Sequence, residues 1–166
     1  MKKYFIGMLA AVLILSTFFM ASSATAKETK IMEFNSMVGV PSALTGTKAP
    51  IRGINGGGIP WMIGSASGEL LADGHLDIEV QGLVLAAGAL NGSNPIANFR
   101  ATVSCLTSTG SVMNTTTDLF PATTGAASLG GGNAEIEADL SLPQPCIAPI
   151  IFVTSPGGSW FAATGN

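Results

Sequence analysis

The sequence predicts an all-β fold: one β-sandwich of about eight or nine strands, with jelly-roll or Ig-like Greek-key connections. Three observations lead there. Helical periodicity is nearly absent beyond the first twenty-six residues, whereas alternation of apolar and polar residues recurs. Gly/Pro/Asn-rich connections separate the alternating runs at spacings typical of sandwiches and barrels.

The domain opens on "KIMEFNSMVGV", read as a strand, and "MIGSASGELL" follows after a glycine-rich connection. Asp73-Gly74 is a hairpin signal joining that strand to the clearest one of all. There Leu76, Ile78 and Val80 point one way while Asp77, Glu79 and Gln81 point the other. In "NFRATVSCL", Phe99, Ala101, Val103 and Cys105 alternate with Arg100, Thr102 and Ser104. "SVMNTTTDLF" supplies a middle strand. In "AEIEADLSL", Ala134, Ile136, Ala138 and Leu140 turn inward and Glu135, Glu137 and Asp139 outward. "APIIFVTS", bracketed by Pro149 and Pro156, and "SWFAAT" close the domain.

Residues 1–26 stand apart from this pattern and read as a cleaved signal peptide. Lys2 and Lys3 precede an apolar run from Phe5 to Met20, and Ala24 and Ala26 form an A-x-A cleavage site. The apolar run is shorter than the roughly 20 residues of a spanning helix, so an uncleaved anchor is the lesser alternative. Export leaves residues 27–166 as a single secreted domain, with no later stretch long enough to span a membrane.

In that mature chain five cations (Lys27, Lys30, Lys48, Arg52, Arg100) face ten carboxylates, a net charge of −5. An acidic chain without a basic cluster argues against nucleic acid and anionic lipid as partners. Charged residues are only 10% of the whole chain, which leaves a weakly charged surface rich in Ser, Thr, Asn and Gly. Cys105 and Cys146 are the two cysteines, and in an exported protein an isolated pair reads as a disulfide, with free buried thiols as the alternative. Two sulfurs and the distant His75 do not make a metal ligand set, and no cofactor is indicated.

The candidate sites are few. "NGGGIPW" places Gly56, Gly57 and Gly58 ahead of an apolar strand, without the Lys-Ser/Thr that follows phosphate-binding glycines. The expectation is a loop of positive φ angles, with Trp61 plugging the core. A backbone-lined binding loop, with Arg52 and Asn55 as polar contributors, is the functional alternative. His75 has neither a nucleophile elbow nor an H-E-x-x-H context, so no catalytic residue is assigned. Asp77 and Glu79 share a strand face, as do Glu135, Glu137 and Asp139. If those strands are neighbours, the carboxylates could hold calcium or act as a glycosidase pair; otherwise they are an ordinary solvated sheet face. Trp61 and Trp160 lie in apolar strands, where core packing outweighs sugar stacking.

"MVGVPSALTGTKAPIRGINGGGIPW", "SASGELLADGHLDIEVQGLVL", "ATVSCLT" and "PCIAPIIFVTSPGGSWFAATG" cover most of the mature chain and resemble a group of small secreted all-β proteins of unassigned function. The layout is also similar to CHRD domains, though their histidine-containing motif is missing here. The resemblance implies export and a single β-domain, and carries no activity. The expected function is a non-enzymatic secreted module with a binding or structural role at the cell surface or in extracellular matrix, and the candidate partner is a cell-surface or extracellular glycan. A carboxylate-dependent glycan hydrolase and a surface-active coat protein are the alternatives.

Overall fold

The computed structural model describes residues 29–165, so the signal peptide expected at 1–26 lies outside the described residues. Fourteen strands follow one another: β1 (Lys30–Phe34), β2 (Met37–Gly39), β3 (Trp61–Met62), β4 (Ser65–Leu71), β5 (His75–Gln81), β6 (Val84–Leu85), β7 (Ser93–Asn94), β8 (Asn98–Leu106), β9 (Val112–Thr116), β10 (Phe120–Pro121), β11 (Gly125–Ala126), β12 (Ala134–Asp139), β13 (Ile147–Thr154) and β14 (Trp160–Thr164). The fold is all-β, as the alternation predicts. The only helical pieces among the described residues are two three-residue 3-10 turns, and no helix there is long and apolar enough to cross a membrane.

The strand count and their grouping differ from the expected eight or nine in one sandwich. Four antiparallel sheets form: β1-β4-β5-β12; a six-stranded sheet β10-β8-β13-β14-β2 with β9 also on β8; β7 with β11; and β3 with β6. The excess comes from runs that the structure divides. "KIMEFNSMVGV" breaks at Asn35-Ser36, because β1 pairs with β4 in one sheet while β2 pairs with β14 in the other. "SVMNTTTDLF" breaks at Thr117, whose hydroxyl takes the place of a ladder carbonyl by accepting from the Ala101 N–H at 3.0 Å.

The alternation itself holds where it was clearest. Leu76, Ile78 and Val80 are buried and Asp77, Glu79 and Gln81 exposed, and β12 repeats the pattern. Inward residues of both larger sheets meet in one apolar cluster, including Leu70, Ile78 and Ile136 from one and Phe99, Val103 and Ile151 from the other. Trp61 closes it, stacked on Phe161 at 3.9 Å and edge-on to Phe99 at 6.5 Å. Strand β8 is buried on both faces, since Thr102 and Ser104 are covered as well. The segment between β2 and β3 is bonded to this sheet. Arg52 in that segment donates to the Ser104 and Ala148 carbonyls, and Gly56 bridges to Trp160.

Cys105 at the end of β8 and Cys146 just ahead of β13 form a disulfide, with Cα atoms 5.0 Å apart. It fastens two neighbouring strands of the six-stranded sheet at one end.

Candidate binding face

The carboxylates of the four-stranded sheet are brought together by register. Glu33 of β1 stands opposite Glu69 of β4, Glu69 opposite Asp77 of β5, and Asp77 opposite Glu137 of β12. Four acids thus form one straight row across four strands. In the next row Ser67 faces Glu79, and Glu79 faces Glu135. Because side chains alternate along each strand, both rows project away from the core. Together they line an open groove of about 680 Å³. The condition left open by the sequence, that the two acidic strands be neighbours, is met.

Lys30 reaches into the end of this array, 2.9 Å from Glu33 and 2.7 Å from Glu69. Hydrogen bonds to Glu69 and then Glu33 raise its pKa above 10.5. Asp77, Glu79, Glu135 and Glu137 have no salt-bridge partner among the described residues; Glu79 accepts a hydrogen bond from Gln81 at 2.6 Å. No three His, Cys, Asp or Glu side chains among the described residues converge as a metal ligand set. The arrangement is a broad, solvated, negative surface, chemically suited to cationic groups.

His75 begins β5 opposite Asp139 of β12, its Nδ1 2.9 Å from the Asp139 carboxylate. That hydrogen bond raises its pKa above 6.5 against the opposing effect of burial, with the charges of Asp139, Glu137 and Asp73 adding to the rise. The associated stabilisation is fully present below pH 6.5 and is lost as the pH rises through the folded-state value. His75 is the only histidine in the chain, so one imidazole titration by NMR reads it directly. We expect a midpoint above 6.5, returning toward the ordinary value in Asp139→Asn.

The glycine segment has a different character from the expected one. None of Gly56, Gly57 and Gly58 has a positive φ; left-handed conformations fall instead on Gly46, Arg52 and Gly53. Arg52 and Gly53 form a two-residue turn closed by reciprocal Ile51–Ile54 hydrogen bonds of 3.1 and 2.9 Å. The Arg52 guanidinium donates to the Ser104 carbonyl at 2.8 Å and to the Ala148 carbonyl at 2.7 Å. The β8–β13 ladder is irregular there, between Ile147 and Ile150, and Pro149 has no N–H to give. Arg52 adds two donors where that ladder is irregular. The Asn55 carbonyl accepts from Trp160 and the Gly57 N–H donates to it, so the segment is knitted to the end of β14. Of the five residues expected to form a binding loop, Asn55 and Gly58 are exposed, Arg52 is half-buried, and Gly56 and Gly57 are buried.

Gly56 and Gly57 serve close approach. A Cβ on Gly56 would collide with the Leu44 carbonyl oxygen, and one on Gly57 would press on Phe161 and Trp61 at 3.0–3.1 Å. Around Gly58 nothing lies within 4 Å. Gly56→Ala is therefore expected to lose about 1–3 kcal/mol of stability, and Gly58→Ala almost none. Urea melts of the two variants compare them directly; equal losses would overturn this account.

Sequence reasoning placed Asp77, Glu79, Glu135 and Glu137 on common faces but missed Glu33, Glu69 and Lys30. Lys30 and Glu33 share β1 and Glu69 is the only charge in β4, so no strand shows two acids in alternation to mark them. The sequence matches no family model, no curated protein and no solved structure.

Proposed function

We propose that the chain is a secreted, non-enzymatic β-module whose two larger sheets form the layers of a sandwich. In this reading its acidic face binds cationic groups on a cell-surface or matrix polymer. The register of the four-stranded sheet carries the reading. Like charges directly opposite one another on a sheet are destabilising, by a fraction of a kcal/mol to about 1 kcal/mol per pair. Here Asp77 has a carboxylate on both sides and Glu79 has one opposite. A cationic partner relieves that repulsion on binding. Export is supported by the leader-like residues 1–26 and agrees with the disulfide, which belongs to oxidising compartments.

The test is co-sedimentation of residues 27–166 with producer cells, cell wall, and insoluble polysaccharides with and without amino groups, in calcium and in chelator. We expect saturable pelleting with amino-bearing material that weakens as salt is added. Asp77→Asn with Glu79→Gln should reduce that binding at least about tenfold while stabilising the fold by about 0.2–1 kcal/mol at low salt. Opposite movement of binding and stability separates a binding surface from a structural one. Pelleting that the double variant leaves unchanged would remove the groove from the reading. Soluble sugar released by the wild type and not by the variant would instead identify a hydrolase.

A further inference from the structure

Strand β9 lies at an edge of the six-stranded sheet, paired only with β8. Along an antiparallel ladder, hydrogen-bonded pairs alternate with non-bonded ones. The Thr107 N–H donates to the Ser111 carbonyl at 2.9 Å, and the Thr117 N–H to the Ala101 carbonyl at 3.0 Å. That phase makes Cys105–Met113 and Val103–Thr115 the bonded pairs. The N–H and C=O groups of Val112, Asn114 and Thr116 therefore point away from β8, and no backbone group among the described residues pairs with them.

Natural sheet edges are usually guarded by charge, proline, a bulge or shortness. The other edges here follow that rule. β1 carries Lys30, Glu33 and a bulge; β12 carries Glu135, Glu137 and Asp139; β10 is two residues ending in Pro121; β2 has three residues. β9 has five residues in unbroken register, without charge, proline or glycine. Residues 101–117 contain no Asp, Glu, Lys or Arg at all. Val112 and Met113 are 47% and 44% exposed.

We propose that β9 is a self-association edge. Two copies pair β9 to β9, antiparallel about a two-fold axis passing beside Asn114. A two-fold contact uses the same patch on both copies. Asn114 then faces Asn114 of the second copy, and Val112 faces Thr116 on either side, so the outward groups exchange six main-chain hydrogen bonds. The uncharged edge fits a second copy as the occupant. The mature chain carries a net −5, so two copies repel wherever carboxylates meet, and β9 lets strands join without setting like charges opposite. None of the groove carboxylates belongs to β9, so pairing leaves both grooves open.

Sedimentation of the exported protein, residues 27–166, from about 1 µM to about 1 mM tests this. We expect a monomer–dimer equilibrium whose dissociation constant rises at least about tenfold in V112K/T116K, where introduced ammonium groups stand opposite each other. N114P should act similarly by deleting an outward N–H that the β8 ladder does not use. Circular dichroism checks that each variant folds, and V112K/T116K carries the test if N114P does not. Amide exchange at Val112, Asn114 and Thr116 should slow as concentration rises. A wild type that stays monomeric throughout overturns the proposal. So does a dimer that V112K/T116K leaves equally tight, or an edge that takes up a foreign extended peptide but not its own copy.

Discussion

Trp61→Ala is expected to be among the most damaging single substitutions, with a loss of about 3–5 kcal/mol. Trp61 is 5% exposed and joins Phe99 and Phe161, rings from three separate strands, into one cluster. Removing it opens a void where β3, β8 and β14 converge, and the Gly57 backbone that packs against the indole loses its support. For a domain of this size the change lowers the melting temperature by roughly 10–20 °C. Thermal melts of Trp61→Ala and Trp61→Phe make the comparison, and Trp61→Phe should recover part of the loss. A Trp61→Ala protein within about 1 kcal/mol of wild type would mean that the ring cluster is not a structural centre.

Loss of the Cys105–Cys146 bridge should be of similar size. The bond closes a loop of 41 residues, and the chain-entropy relation gives about 4 kcal/mol for freeing it in the unfolded state. Replacing both cysteines by alanine also leaves space at Cys105, which is fully buried. Urea melts of the double alanine variant, set beside wild type with and without reductant, measure the effect. A variant as stable as the oxidised protein would contradict it. A fall confined to reductant-treated wild type would mean that the reduced thiols themselves disturb the core.

Both effects trace to features that were readable in the residues, and for different reasons. The alternation in β5 and β12 is local, so inward and outward faces could be assigned without knowing what the strands paired with. The Asp73-Gly74 turn is equally local: Gly74 takes a φ of 101° and the hairpin forms there. The cysteine pair was readable because an isolated pair, once export is expected, reads as one disulfide. The acidic rows were out of reach, because Glu79 meets Glu135 through a pairing of strands far apart in the chain. Nothing near either residue encodes that neighbour. The break at Asn35-Ser36 is hidden for a related reason: the chain changes sheets there without glycine or proline to mark it. Arg52 shows the limit most plainly. Its guanidinium bonds the Ser104 and Ala148 carbonyls, the second almost a hundred residues away, so its role exists only in the folded sheet.

The acidic groove also makes the molecule electrically lopsided. Of the nine carboxylates among the described residues, six line that groove, while Arg100 lies on β8 and Arg52 bonds to β8 and β13. Such a body carries a permanent dipole, and a dipole turns in a field before it makes contact. At physiological ionic strength the field of a charged surface extends only about 8 Å, so the turn occurs in the last nanometre of approach. Molecules arriving at a positive surface would settle groove-down, each in the same orientation, and a layer built from them would have one chemical face toward the surface and another toward the medium.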